Sequence, residues 1–316
     1  MKTKTKKQPQ EINLMSLFAQ FGTDEQCRIA LEKLRWPDGV KCPRCQSDKI
    51  SRNYKRNSLE CEPCGYHFSV TSGTIFHDTH LPLTKWFAAI YLICESKKGM
   101  SANQLKRTLG VAYKTAWYLC HRIREAVKDA DTSLLSGIVE CDETYIGGKA
   151  KNMHKKDRER KIQGRGAVGK AMVLGAIQRG GGVRLTVEKR ADRATLHKFI
   201  KAALADETEC IMTDTAPAYE GIADANTRHE TVNHSADEYV RGECHTNNVE
   251  SVWSLFKRSI VGSYHQISVK HLDRYLDEFE FRFNNRNNPY LFRDTLLRLI
   301  NSSNLEYKEL TKEEAA

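Results

Sequence analysis

Four cysteines and three acids carry most of the chemistry this sequence can perform. Cys42, Cys45, Cys61 and Cys64 stand in "KCPRCQSDKISRNYKRNSLECEPCGYHFSV" as C-x2-C-x15-C-x2-C. Each pair can turn two thiolates toward one point from a tight knuckle. Four thiolates close the tetrahedral shell of a structural Zn²⁺ site and leave no open position for catalysis. The acids are Asp142 after the apolar run "GIVEC", Asp214 directly after "CIM", and Glu250 near the start of "TNNVESVWSLFKRSI". Carboxylates at strand ends and a helix start can converge from distant parts of a chain, and two divalent ions about 4 Å apart need several such hard oxygen ligands. Mg²⁺ suits phosphate chemistry, because it keeps water ligands while bridging substrate oxygens.

Singly, each acid has a plainer reading: a turn or cap residue for the aspartates, a solvated helix face for Glu250. Lys257 shifts the balance. It lies two helical turns beyond Glu250, shares its face, and can hold a phosphate beside the carboxylate. Glu143 should point to the other side of the strand from Asp142. His245 and His265 read as hydrogen-bonded helix-end or loop histidines. Cys27, Cys94, Cys120, Cys141, Cys210 and Cys244 read as small buried residues.

The elements that position these groups follow from pattern. With 316 residues, 40% of them hydrophobic, the chain can bury a sizeable core in about two domains. Its longest apolar run, "WFAAIYLIC", is too short to cross a bilayer, and "MKTKTKKQPQ" has no apolar stretch behind its charges, so neither membrane anchoring nor export is expected. Ten cysteines in a chain of this length fit a reducing, cytoplasmic compartment with one metal site. The net charge of +10 is compatible with a polyanionic partner. It is concentrated locally: Lys97 to Lys128 holds eight basic residues and one acid, and Lys149 to Lys170 nine and two.

Residues 1 to 10 read as a disordered tail, and two helical segments lead to the cysteine pairs. Three helices follow them. The last two, "SANQLKRTLG" and "AYKTAWYLCHRIREAV", have helix-turn-helix spacing. Ala116, Leu119 and Ile123 should pack while Lys114, Arg122 and Arg124 project outward. An ordinary helical hairpin with a solvated basic face is the competing reading. After residue 133 strands and helices alternate: "SGIVECDETYIGG", "AMVLGAIQ" and "GVRLTVEK" as strands, "RATLHKFIKAAL" as a helix, "ECIMTD" and "TRHETVNH" as short strands. The polar stretch 149 to 169 reads as a mobile loop.

The blocks "VECDETYIGG", "MTDTAPAY" and "HTNNVESVWSLFKRSIVGSYHQIS" followed by "YLDEFEFRFNNR", together with the cysteine ribbon, resemble bacterial insertion-sequence transposases of the DDE class with an N-terminal zinc ribbon. The resemblance spans residues from about 20 to 300. It implies a multidomain chain: tail and helical lead-in over 1–36, zinc ribbon over 37–78, a helix-turn-helix-like DNA-binding region over 79–132, and a C-terminal tail over 301–316. Residues 133–300 would form an α/β ribonuclease-H-like core with a mixed central sheet flanked by helices. The implied activity is cleavage of transposon ends and joining of the 3′-hydroxyl to target DNA with Mg²⁺ or Mn²⁺. Asp142, Asp214 and Glu250 would bind the metal, with Lys257 the accompanying cation. Some members of the group carry Asn at the third position, which keeps Asn247 beside Glu250. The implied partner is double-stranded DNA, both transposon end and target. Lys106, Arg107, Lys114, Arg122, Arg124 and Arg258 would contact it, in a homo-oligomer on the nucleoid. A nuclease on the same core and a non-catalytic zinc-ribbon regulator are the competing functions.

Overall fold

The computed structural model describes residues 12–128, 133–148, 154–155, 170–232 and 244–312. The expected N-terminal tail and nearly all of the 149–169 loop lie outside them. The chain divides into two compact units, residues 1–130 with 287–316, and residues 131–286.

The first unit opens with α1 (Leu14–Phe21) and α2 (Asp24–Arg35), each started by a reciprocal capping box, from Asn13 and Thr23. The ribbon follows as a three-stranded antiparallel sheet of β1 (Ile50–Asn53), β2 (Ser58–Cys61) and β3 (His67–Phe68). Arg35 ties α2 to the ribbon's exit by donating to the carbonyls of Val70 (2.6 Å) and Ser72 (2.9 Å). Helix α3 (Leu83–Glu95) buries Trp86, Phe87, Ile90 and Ile93. Helices α4 (Ala102–Leu109) and α5 (Tyr113–Ala126) form the expected hairpin, α4 capped by Ser101 and ended by Gly110 at φ +61°, the left-handed turn glycine adopts freely.

The second unit is built on a five-stranded sheet of β4 (Leu135–Ile146), β5 (Ala171–Gln178), β6 (Val183–Glu188), β7 (Leu204–Asp214) and β8 (Arg228–Val232), with α6 (Arg193–Ala203) before β7. The order is β6-β5-β4-β7-β8. β4, β5 and β6 pair antiparallel, and β4, β7 and β8 pair parallel. Because side chains alternate along a strand, the sheet has two cores. On one face Val139, Cys141, Leu174, Ala176 and Ile211 pack on Leu196 and Ile200 of α6 and on Tyr219. On the other, Val173, Ile177 and Val183 pack on α7 (Asn247–Ser259) and α8 (Leu272–Asn284) through Val249, Trp253, Phe256, Leu276 and Phe279. A mixed sheet in this order with helices on both faces is the ribonuclease-H-like core that the sequence blocks imply. Among the described residues no helix is long and apolar enough to cross a membrane.

Two expectations change. Arg122 and Arg124 do not project outward; they are 4% and 2% exposed. Arg122 donates to the carbonyl of His77 (2.8 Å) and to Asn304 Oδ1 (2.9 Å), between the rings of Trp86 and Tyr118. The last turns of α5 are covered by the chain's C-terminal segment, so a face that is basic in sequence is inside the unit. That segment is also where the domain division differs. α9 (Leu291–Asn301) and α10 (Tyr307–Thr311) belong to the first unit, where Thr295 faces Cys94, Tyr307 meets Trp117 and Tyr118, and Leu305 and Leu310 are buried. The second unit thus ends at residue 286 rather than 300, and residues 301–312 are packed rather than a tail.

Candidate active site

The zinc knuckles are built twice from one plan. Gln46 N–H donates to the Cys42 carbonyl and Gly65 N–H to the Cys61 carbonyl, with Gln46 and Gly65 both at positive φ (62° and 63°). This curl aims both thiols of a pair at the same point. Sγ of Cys42 lies 3.7 Å from that of Cys64, and Sγ of Cys45 3.4 Å from that of Cys61. A tetrahedral zinc with sulfur ligands at about 2.3 Å has edges of roughly 3.8 Å, so the four sulfurs fit the ion. Among the described residues they are the one group of potential ligands whose atoms all lie within 4.8 Å of one another. The other six cysteines are buried, as expected.

Asp142 lies inside β4 rather than at its end, opposite Gly175 of β5. It shares a strand face with Ile138 and Glu140, the face that α7 covers. Gly175 is required there: a Cβ would stand 2.5 Å from the Trp253 ring. The indole passes over that gap, and its Nε1–H donates to Asp142 Oδ2 at 2.8 Å. Burial, then the neighbouring Glu143 charge and more weakly Asp214, raise the Asp142 carboxyl to about 7, against the lowering pull of the Trp253 bond.

Asp214 ends β7. The parallel register pairs Glu140 with Met212, and two residues further on it brings Asp214 level with Asp142 on the adjacent strand, on the same face. Asp214 Oδ1 accepts from Ala216 N–H (3.0 Å), a turn that fixes the carboxylate where the strand stops. Asp142 and Glu250 line one cleft of about 640 Å³ with Glu143, Trp253, Lys257, Arg258 and Val261. Asp214 and Asn247 are not among its lining residues. Glu143 borders the cleft but turns its carboxylate to the opposite side of the sheet, as expected, where Oε2 accepts from the Tyr219 hydroxyl at 2.7 Å. Oxygen donors from Asp142 and Glu250, and an Asp142 whose ionisation is disfavoured without a cation nearby, suit a hard divalent ion.

Lys106, Arg107 and Lys114 are exposed, Lys114 with its ammonium 4.3 Å from the Tyr307 ring centre. His245 and Trp253 have larger parts than the sequence suggested, and Glu140 and Arg179 were not legible at all. Glu140 is fully buried beneath the start of α7, ion-paired with Arg179 at 2.8 Å. The available signal was a carboxylate inside the apolar run "GIVEC", in phase with Asp142.

A zinc ribbon and, further along the chain, a ribonuclease-H-like core are the two modules that the sequence blocks imply for a transposase. Residues 134–284 match the ISXO2-like transposase domain, and residues 22–67 the transposase zinc-ribbon domain. A protein of Halobacterium salinarum, described as an uncharacterized protein in transposable element ISH50, is 30% identical over 273 residues, 83% of this chain and 91% of its own length. The chain belongs to this insertion-sequence transposase family. Similar solved structures include a simian T-cell lymphotropic virus intasome (15% identity, 57% of this chain and 63% of that one, TM-score 0.31) and a pre-cleavage Mos1 transpososome (13%, 68% and 75%, TM-score 0.27).

Proposed function

We propose that the protein cuts transposon ends and joins the freed 3′-hydroxyl to target DNA, with Asp142, Asp214 and Glu250 as the acids of a divalent-metal site. The observation that carries this reading is the cleft that Asp142 and Glu250 line together with Lys257 and Arg258. A divalent ion bound by these acids supplies activation of the attacking oxygen and stabilisation of the leaving one.

The chain's own groups do the rest. Trp253 fixes Asp142 Oδ2, so the carboxylate is oriented before substrate arrives. Lys257 and Arg258 hold the backbone phosphates of the scissile strand, which a carboxylate cleft would otherwise repel. Glu250 is favoured over Asn247 as the third ligand because it brings a charged carboxylate to the cleft that Asp142 lines. With Arg122 and Arg124 inside the fold, Lys106, Arg107 and Lys114 remain as the DNA contacts of the helical hairpin, acting on phosphates in a homo-oligomeric complex.

The test is a reaction of purified protein with element-end DNA already carrying a free 3′-hydroxyl, plus a target plasmid and Mg²⁺. Covalent joining is expected. Nicking without joined product identifies a nuclease instead, and no metal-dependent change to DNA favours the regulator.

A further inference from the structure

We propose that Glu140 is a positioning residue that locks the start of α7 onto β4, so that Glu250 and Lys257 stand over Asp142; this rests on the reading of Asp142 and Glu250 as metal-binding acids. Glu140 is 0% exposed. Its Oε2 accepts from the backbone N–H groups of Asn248 (2.8 Å) and Val249 (3.2 Å), two of the donors a helix start leaves without partners. Its Oε1 accepts from Asn248 Nδ2 (2.7 Å) and Arg179 Nε (2.8 Å), and His245 Nδ1 lies 3.2 Å away. A fully buried carboxylate is retained only where charge and hydrogen bonds compensate it, and here four donors, one of them the Arg179 guanidinium, converge on two oxygens. The positive end of the α7 dipole adds to them.

The spacing gives the lock its consequence. Asp142 lies two residues beyond Glu140 on the same strand face, and Glu250 lies in the first turn of α7, three residues before Trp253 on the same helix face. Glu250 therefore stands between the Glu140 junction and Trp253. A second pin, the Trp253–Asp142 hydrogen bond of 2.8 Å, lies further along α7. Between two pins the helix can neither slide nor rotate relative to β4, so the separation of the two carboxylates is set before any metal binds. Arg179 is itself held, its Nη2 donating to the His245 carbonyl (3.2 Å) and its backbone N–H to Ile138 (3.0 Å).

The experiment is a Mn²⁺ titration of the zinc-loaded, DNA-free, full-length protein, with free Mn²⁺ read by electron paramagnetic resonance. The variants are Glu140→Gln, Asn248→Ala and, as the metal-ligand control, Asp142→Asn. Removing groups that orient metal ligands costs about 10- to 100-fold in affinity. Glu140→Gln is expected to weaken Mn²⁺ binding by at least about tenfold with circular dichroism unchanged, and Asn248→Ala by a few fold. A merely structural role would lower the melting temperature and leave Mn²⁺ affinity in the folded protein alone. Wild-type Mn²⁺ affinity in folded Glu140→Gln overturns the proposal. If that variant does not fold, Asn248→Ala decides, since it keeps the buried ion pair: wild-type affinity there overturns the proposal equally. Equal binding by wild type and Asp142→Asn, or none by wild type, fails differently, because it removes the metal-site reading and this inference with it.

Discussion

Asp142→Asn should stabilise the metal-free protein at alkaline pH while abolishing its chemistry. The fold raises the Asp142 carboxyl from 3.8 to about 7, chiefly by burial. An acid raised in this way favours the native state fully only below its unfolded value, and that contribution is lost as pH rises through the folded one. At about 1.4 kcal/mol per pH unit the whole loss is on the order of 4 kcal/mol, and partial solvation of this half-buried group brings the working expectation to about 2 kcal/mol. The asparagine carries no charge, and its amide oxygen can still accept from Trp253. Its stability advantage over wild type should therefore widen by about 2 kcal/mol between pH 5 and pH 8. The assay is urea unfolding in buffer free of added divalent ions, followed by pulsed hydrogen exchange on peptides from β4 and α7, which reports the second unit alone. Added Mn²⁺ should narrow the gap at pH 8, because it stabilises only the form that binds it. An advantage that stays flat or shrinks as pH rises would refute the burial argument.

Gly175→Ala should cost about 1–3 kcal/mol of stability by urea titration, because the new methyl would stand 2.5 Å from the Trp253 ring, and joining activity should fall with it. Arg122→Ala should destabilise the first unit without changing the salt dependence of DNA binding. Lys106→Ala with Arg107→Ala should leave stability unchanged and lower the slope of log affinity against log salt by about 2, measured by fluorescence anisotropy. Cys42→Ser should abolish the zinc content found by plasma mass spectrometry in wild type; full zinc occupancy in the variant contradicts the four-sulfur site.

The parts that were legible in the sequence are those whose determinants lie close together in the chain. The ribbon follows from two C-x2-C knuckles, the helical hairpin from Ser101 and Gly110, and the strands that carry Asp142 and Asp214 from the apolar runs before them. The parts that were not legible depend on distant partners. Arg122 is covered by Asn304, 182 residues away, so no local pattern separates it from a solvent-facing arginine. Glu140 is held by Arg179 and Asn248, 39 and 108 residues away, and a buried glutamate is a poor guess without them. Asp142 seemed to close a strand because "DETY" is polar; in the sheet those residues continue β4 to Ile146, one face serving the cleft and the other Tyr219.

The most direct measurement of the central claim is a metal-dependent end-joining assay with wild type, Asp142→Ala, Asp214→Ala, Glu250→Ala and Asn247→Ala side by side, DNA binding being recorded for each. The account predicts joined product from wild type and Asn247→Ala, none from the other three, and undiminished binding in all five. Joining at the wild-type rate by Asp142→Ala, Asp214→Ala or Glu250→Ala would contradict it.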